Sequence, residues 1–305
     1  MLFRSGLAIV GAVGGPFGLL GAYFAALPLF VVGFGVGREA CAMAMAAAAV
    51  VIAAALSFEE TLVFLGAQGL PAGLVVWLSL RTRAASGGAP EWSVSPGTVV
   101  AWLVGYGVAA FVVLVLSFAG EAGTAGLEAE LATELNRAVM AVATGADPDR
   151  VEAVTAALAR YFPAVVLASW TVMTSLNAVI GMRLAGRFLV RLRPEPAWSQ
   201  LALPSGLMTA VAAASFLALV GRGTTAGFVG GNAALALCVP YVFMGFAVAH
   251  ALAARVGPRR LVLWGLYVAV LLLGWPIVVM AALGFVEDWI GVRRRYAGPR
   301  SEDKT

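Results

Sequence analysis

Residues 97–120 read GTVVAWLVGYGVAAFVVLVLSFAG, with no charged side chain among them. Such a run exceeds the roughly 20 residues that a helix needs to cross about 30 Å of hydrocarbon. In lipid every backbone N–H and C=O must find its partner inside the segment, and a helix does this alone. Comparable apolar stretches lie at 5–36, 40–57, 61–80, 161–182, 200–221, 226–253 and 260–283. Hydrophobic residues make up 61% of the chain and charged residues only 12%, against about 25% charged in soluble domains. The expected fold is all-α, a polytopic transmembrane helical bundle of about eight membrane segments. It is read as a single transmembrane helical domain over 1–295, followed by a disordered tail at 296–305.

Several segments carry breaks. The stretch 5–36 is interrupted by Gly14-Gly15-Pro16 and reads as a retained, tilted membrane hairpin or one kinked helix. The segment 40–57, ACAMAMAAAAVVIAAALS, has a small-residue surface suited to close helix approach and reads as a buried helix. Ser57-Phe58-Glu59-Glu60 reads as a capping box ahead of 61–80. Gly69 and Pro71 then suggest a broken helix.

Residues 121–160 are the one long hydrophilic stretch, and they are acidic. Leu127, Leu131 and Leu135 recur at every fourth position, one stripe of a helix. Asp147-Pro148-Asp149 marks a second helix start, with Val151, Val154 and Leu158 as its apolar face. The pattern predicts an amphipathic helical hairpin outside the membrane.

Lys and Arg together number 20 against 16 acids, a net charge of +4. They stand at span ends, so the lipid bilayer is the expected partner and nucleic acid is not. Positive charge near span ends favours the cytoplasm. Alternation then groups Arg38, Arg81 and Arg83, Arg183–Arg193, and Arg255–Arg260 on that side, with 121–160 opposite. Arg293 to Arg295 break the alternation. Either 260–283 turns back near Gly274-Trp275-Pro276 or the span count is off by one; the tail is expected on the cytoplasmic side. Arg183, Arg187 and Arg191 recur every four residues and read as a lipid-anchoring stripe whose side chains snorkel toward phosphates.

Polar groups inside apolar runs are the ligand-binding candidates. Trp170, Thr171, Thr174 and Asn177 fall within about 120° of one helix face. They would line a small-molecule pocket or serve as hydrogen bonds between helices. Asn232 and His250 are five turns apart on another run and would share a face.

The chain has no G-x-S-x-G, H-E-x-x-H or Walker A lysine motif, so no catalytic residue is assigned and the chain is not read as an enzyme. Any ATPase acting with it would be a separate chain. Cys41, Cys238 and the single His250 form no metal-ligand spacing, and no cofactor or metal site is expected.

Three stretches carry a resemblance. AALPLFVVGFGVGRE at 25–39, VFMGFAVAHAL at 242–252 and LGFVEDWIGVRRR at 283–295 resemble segments of the YybS-like predicted membrane proteins, a bacterial family of unknown function. That family is similar to the substrate-binding S components of energy-coupling-factor transporters. The resemblance implies a multi-pass protein of the bacterial inner membrane with a pocket for a small molecule. It also implies a separate membrane coupling protein and ATPases as partners. The alternative is a non-transporting membrane scaffold or assembly factor that recruits other envelope proteins.

Overall fold

The computed structural model describes residues 21, 23–83, 91–118, 123–143, 145, 147–190, 192–194 and 201–293. The expected break at Pro16, Arg191 of the arginine stripe, Arg294, Arg295 and the tail lie outside the described residues. The regular structure of the described residues is helical apart from one antiparallel pair, β1 (Thr82–Arg83) with β2 (Glu91–Trp92), in the register Thr82 to Trp92 and Arg83 to Glu91.

Among the described residues, five helical stretches are long and apolar enough to cross a membrane: Arg38–Ala55, Phe58–Ser79, Pro96–Ser117, Phe162–Phe188 and Thr225–Ala253. Two of the runs read as spans take shorter forms. The 200–221 run yields a helix only over Leu207–Val220. The 260–283 run is cut at Gly274, whose φ of 69° is left-handed, and Pro276 starts the next helix. The two resulting helices have 15 residues each, about 22 Å at 1.5 Å per residue.

The chain divides into two compact units, Met1–Val94 with Trp170–Pro196, and Ser95–Ser169 with Ala197–Thr305. In the first, α1 (Leu27–Gly35) leads through Gly37, at φ 129°, into α2 (Arg38–Ala55). Then come α3 (Phe58–Phe64), a π-helical turn (Leu65–Gly69) and α4 (Leu70–Ser79). The Ser57 hydroxyl accepts from Glu60 N at 3.1 Å, so the cap expected there forms. Phe30, Phe34, Ala72, Val76 and Ala185 make the core. Gly181 allows the backbone of its helix to reach Phe30, whose Cβ would stand 2.5 Å from an added Cβ. The Ala-rich α2 is not buried as expected: Cys41 is its one buried residue, and Val50 and Val51 are exposed. Methyl groups offer little reach, so a helix of alanines covers only what touches its backbone closely.

The second unit is built on α5 (Pro96–Phe118). Two amphipathic helices follow, α6 (Gly123–Val142) and α7 (Pro148–Ala159), the latter capped by Asp147 through Asp149 N at 3.1 Å. Leu127 packs on Phe111, Val115 and Phe228. On α7 the buried face is Val151, Thr155 and Ala159, whereas Val154 and Leu158 are exposed. The expected face was displaced by one residue, because polar Thr155 satisfies its hydroxyl on Val151 O at 2.8 Å and can be buried.

After α8 (Phe162–Phe188) come α9 (Leu207–Val220), α10 (Thr225–Leu237), α11 (Val239–Ala253), α12 (Arg259–Leu273) and α13 (Pro276–Ile290). Glycines set the packing. A Cβ on Gly230 would meet Ala218 N at 2.6 Å, so α9 and α10 touch backbone to backbone. A Cβ on Gly245 would strike the Met280 carbonyl, and one on Gly284 would strike the Tyr241 carbonyl. The two contacts run in opposite chain directions, so α11 and α13 cross antiparallel. Tyr241, fully buried, stacks on Phe285 at 3.8 Å between ring centres. Close approach of this kind supplies the dispersion that holds helices together where lipid removes the hydrophobic drive. No residue of α12 is buried.

Candidate functional site

The stripe on α8 forms as one face. Thr171, Thr174 and Asn177 are 1%, 5% and 2% exposed. Its surroundings follow from a proline. Pro71 has no N–H to offer the carbonyl four residues earlier, which belongs to Ala67. The chain answers with the π-helical turn Leu65–Gly69, a form often found where a helix is interrupted at a functional place. Trp170 Nε1 then donates to Ala67 O at 2.9 Å. One turn further along the stripe from Thr174, Asn177 Nδ2 donates to Tyr23 O at 2.7 Å. Its other amide atom, Oδ1, is buried without a partner, as is Ser175 Oγ. Ser175 sits about 160° around the helix from Asn177, so the two atoms belong to different faces.

Asn232 and His250 lie in the second unit. Asn232 stands on α10 and His250 on α11, with the turn at Cys238 between them. Asn232, 1% exposed, is fully engaged. Its Oδ1 accepts from Ala164 N at 2.9 Å, and its Nδ2 donates to Arg160 O at 3.0 Å and Phe228 O at 2.9 Å. Arg160 is the C-cap of α7 and Ala164 the third residue of α8. The Arg160 carbonyl is a helix-end orphan, Ala164 N is shared with Tyr161 O at 3.1 Å, and one amide joins the two helix ends. His250 Nε2 stands 2.8 Å from Tyr267 Oη at an exposed position.

Arg183 and Arg187 are exposed on the last turns of α8, and the helix ends at Phe188, before Arg191. The next arginine behaves differently. Arg193 is 7% exposed, donates to Ser79 O at 2.6 Å and Val94 O at 3.0 Å, and lies 5.3 Å from the Trp92 ring centre. It ties the end of α4 to the segment after β2. Burial pushes its guanidinium below the usual arginine range. The sequence held one hint: Arg193 departs from the four-residue spacing of Arg183, Arg187 and Arg191.

A second clip escaped the sequence reading. Glu287, 7% exposed, takes Arg293 Nε at 2.8 Å and Arg293 N at 2.9 Å. The same guanidinium donates to Leu201 O at 2.7 Å and lies 3.0 Å from Met244 Sδ. Among the described residues, no three His, Cys, Asp or Glu side chains gather where they could hold a metal ion.

No family model, curated protein or solved structure matches this chain.

Proposed function

We propose that the chain is a multi-pass protein of the bacterial inner membrane that binds a small molecule as a transport-related subunit. The carrying observation is Asn177 Oδ1, an unpaired acceptor on a buried face shared with Thr171 and Thr174. Leaving such a group buried and unpaired costs about 1–3 kcal/mol. A ligand N–H or O–H would recover that energy. The proline-opened turn opposite Trp170 supports the reading, because broken helices line the sites of many transporters. The resemblance to YybS-like proteins, and through them to S components, adds a separate membrane coupling protein and ATPases as partners.

In this reading the helices cross the membrane in about eight segments, and α6 and α7 lie outside it as an amphipathic hairpin. Arg183 and Arg187 face cytoplasmic lipid phosphates. Arg293 shares its end of the second unit with Leu201, beside Ala202, which accepts from Ser95 Oγ at the start of α5 at 2.6 Å. That placement favours a cytoplasmic tail.

Native mass spectrometry of the protein in mild detergent tests the proposal. A bound small molecule should be present and should be lost in Asn177→Leu, while Asn232 and the helix content stay undisturbed. Repeated absence of both ligand and ATPase partner overturns it.

The uncovered α2 favours a second reading, the scaffold or assembly factor. A span with Val50 and Val51 both exposed offers an alanine surface to another membrane protein. Crosslinkers at those two positions would then trap one stable protein neighbour. Labelling by lipid alone would remove this reading.

A further inference from the structure

A cleft of about 800 Å³ opens in the second unit where three helix ends meet. These are the start of α8, the end of α9 and the start of α10. Arg160 and Tyr161 stand on one side, and Arg222 belongs to the turn between α9 and α10. Leu219, Leu235 and Gly231 supply apolar lining. The volume falls in the range of ligand-binding clefts, about 300–1,000 Å³.

Its charge is one-sided. Both arginines are exposed, and no acidic residue is among the described residues that line the cleft. Neither forms an ion pair with a described residue; Arg160 instead lies 5.8 Å from the Tyr161 ring centre. Arg222 is carried by a turn that Gly223 makes at φ 77°. The Arg160 backbone is held by Asn232 Nδ2 at 3.0 Å, so the base of this side chain is fixed. Two cations over an apolar groove at the ends of membrane helices match an amphiphile with an anionic head. Arginine suits phosphate because its planar fork presents paired donors. Tyr161, 45% exposed, is the residue type that sits at headgroup level.

The groove is kept open by what is missing from its walls. Gly227 packs against Gly221, where a side chain would collide with the backbone. Gly231 has room: a Cβ there would stand 4.0 Å from Ala218 Cβ, an ordinary contact. Its bareness is therefore not required by packing, and it leaves the groove free.

We propose that this cleft seats an anionic phospholipid, its phosphate on Arg160 and Arg222 and one acyl chain against Leu219, Leu235 and Gly231. This site is separate from the α8 stripe and does not depend on it. A structural lipid bound here would join the ends of α8, α9 and α10.

The full-length protein in lipid nanodiscs provides the test, with a photoactivatable diazirine placed on the acyl chain of phosphatidylglycerol or phosphatidylcholine. Adducts are mapped by peptide mass spectrometry. Phosphatidylglycerol should label the segment 218–235 in preference to phosphatidylcholine, by about fivefold per arginine. Arg160→Gln with Arg222→Gln should remove that preference. Gly231→Leu should lower labelling by both lipids at this segment while the helix content by circular dichroism stays unchanged. Should the double variant misfold, Arg222→Gln alone and Gly231→Leu carry the decision. Equal labelling by the two lipids overturns the proposal, as does a preference that survives the arginine substitutions. Loss of the phosphatidylglycerol preference when excess inorganic phosphate is added before irradiation would mean a free-anion site and would also overturn it.

Discussion

The bond from Trp170 to Ala67 can be isolated by a double-mutant cycle. The perturbation is Trp170→Phe, which keeps an aromatic ring and deletes the donor to Ala67 O. Hydrogen bonds between membrane helices average about 0.6 kcal/mol and reach about 1.7 kcal/mol. The Ala67 carbonyl should fall toward the upper end, because Pro71 denies it the helical partner it would otherwise have. Trp170→Phe alone also changes packing, so the single number is not decisive. Pro71→Ala restores an N–H four residues after Ala67 and lets the π-helical turn relax into a regular helix. In that background the carbonyl no longer needs the indole. The predicted coupling between the two substitutions is about 1 kcal/mol, with Trp170→Phe milder beside Ala at position 71. The assay is reversible unfolding in mixed detergent, followed by far-UV circular dichroism. An equal cost of Trp170→Phe in both backgrounds would refute the argument that the proline creates the need for the bond.

Four further outcomes are expected. Asn232→Leu should destabilise the protein by about 2 kcal/mol, because it leaves the part-buried Arg160 carbonyl without its partner and deletes the bond to Ala164 N, read in the same unfolding assay. Gly284→Ala should cost about 2 kcal/mol or more by driving a methyl into the Tyr241 carbonyl. Gly265→Ala, where an added Cβ meets nothing within 4 Å, should be neutral or slightly stabilising in a thermal melt. Arg193→Gln should cost about 2 kcal/mol by weakening the bonds to Ser79 O and Val94 O, and faster proteolysis within 80–95 should report the loosened end of α4.

The helical, lipid-compatible character of the chain was legible because it is written in apolar runs, where a period and a length suffice. Caps were legible for a similar reason: Ser57 and Asp147 act within three residues of themselves. Long-range partners were not. Nothing local separates Arg193, which turns inward, from Arg187, which stays exposed, except a two-residue departure in spacing. The Glu287–Arg293 clip combines a nearby acid with two acceptors supplied by distant segments, Leu201 and Met244. The α7 face was misplaced because apolar counting ranks Val154 above Thr155, whereas a threonine that bonds its own helix is free to be buried. Alanine misled in α2 for the converse reason. Small residues permit close packing, but they do not require it.

The two buried asparagines show how far the same residue type can diverge. Each sits on an apolar helix and is almost wholly removed from solvent, at 2% for Asn177 and 1% for Asn232. Sequence alone gives them the same standing, since a polar side chain in a membrane segment must find partners or serve a purpose. Asn232 uses its oxygen once and its nitrogen twice, tying the ends of α7 and α8 to its own helix. Its presence is accounted for by structure, and a ligand would have to displace bonds already made. Asn177 spends its nitrogen on Tyr23 O and leaves its oxygen unpaired. Replacing that amide by a leucine should therefore unfold the protein less than the same change at position 232 does. The larger part of its cost would appear only when a ligand is present. That difference in ligand dependence is what separates a binding asparagine from a structural one, and it is why Asn177 rather than Asn232 carries the proposed site.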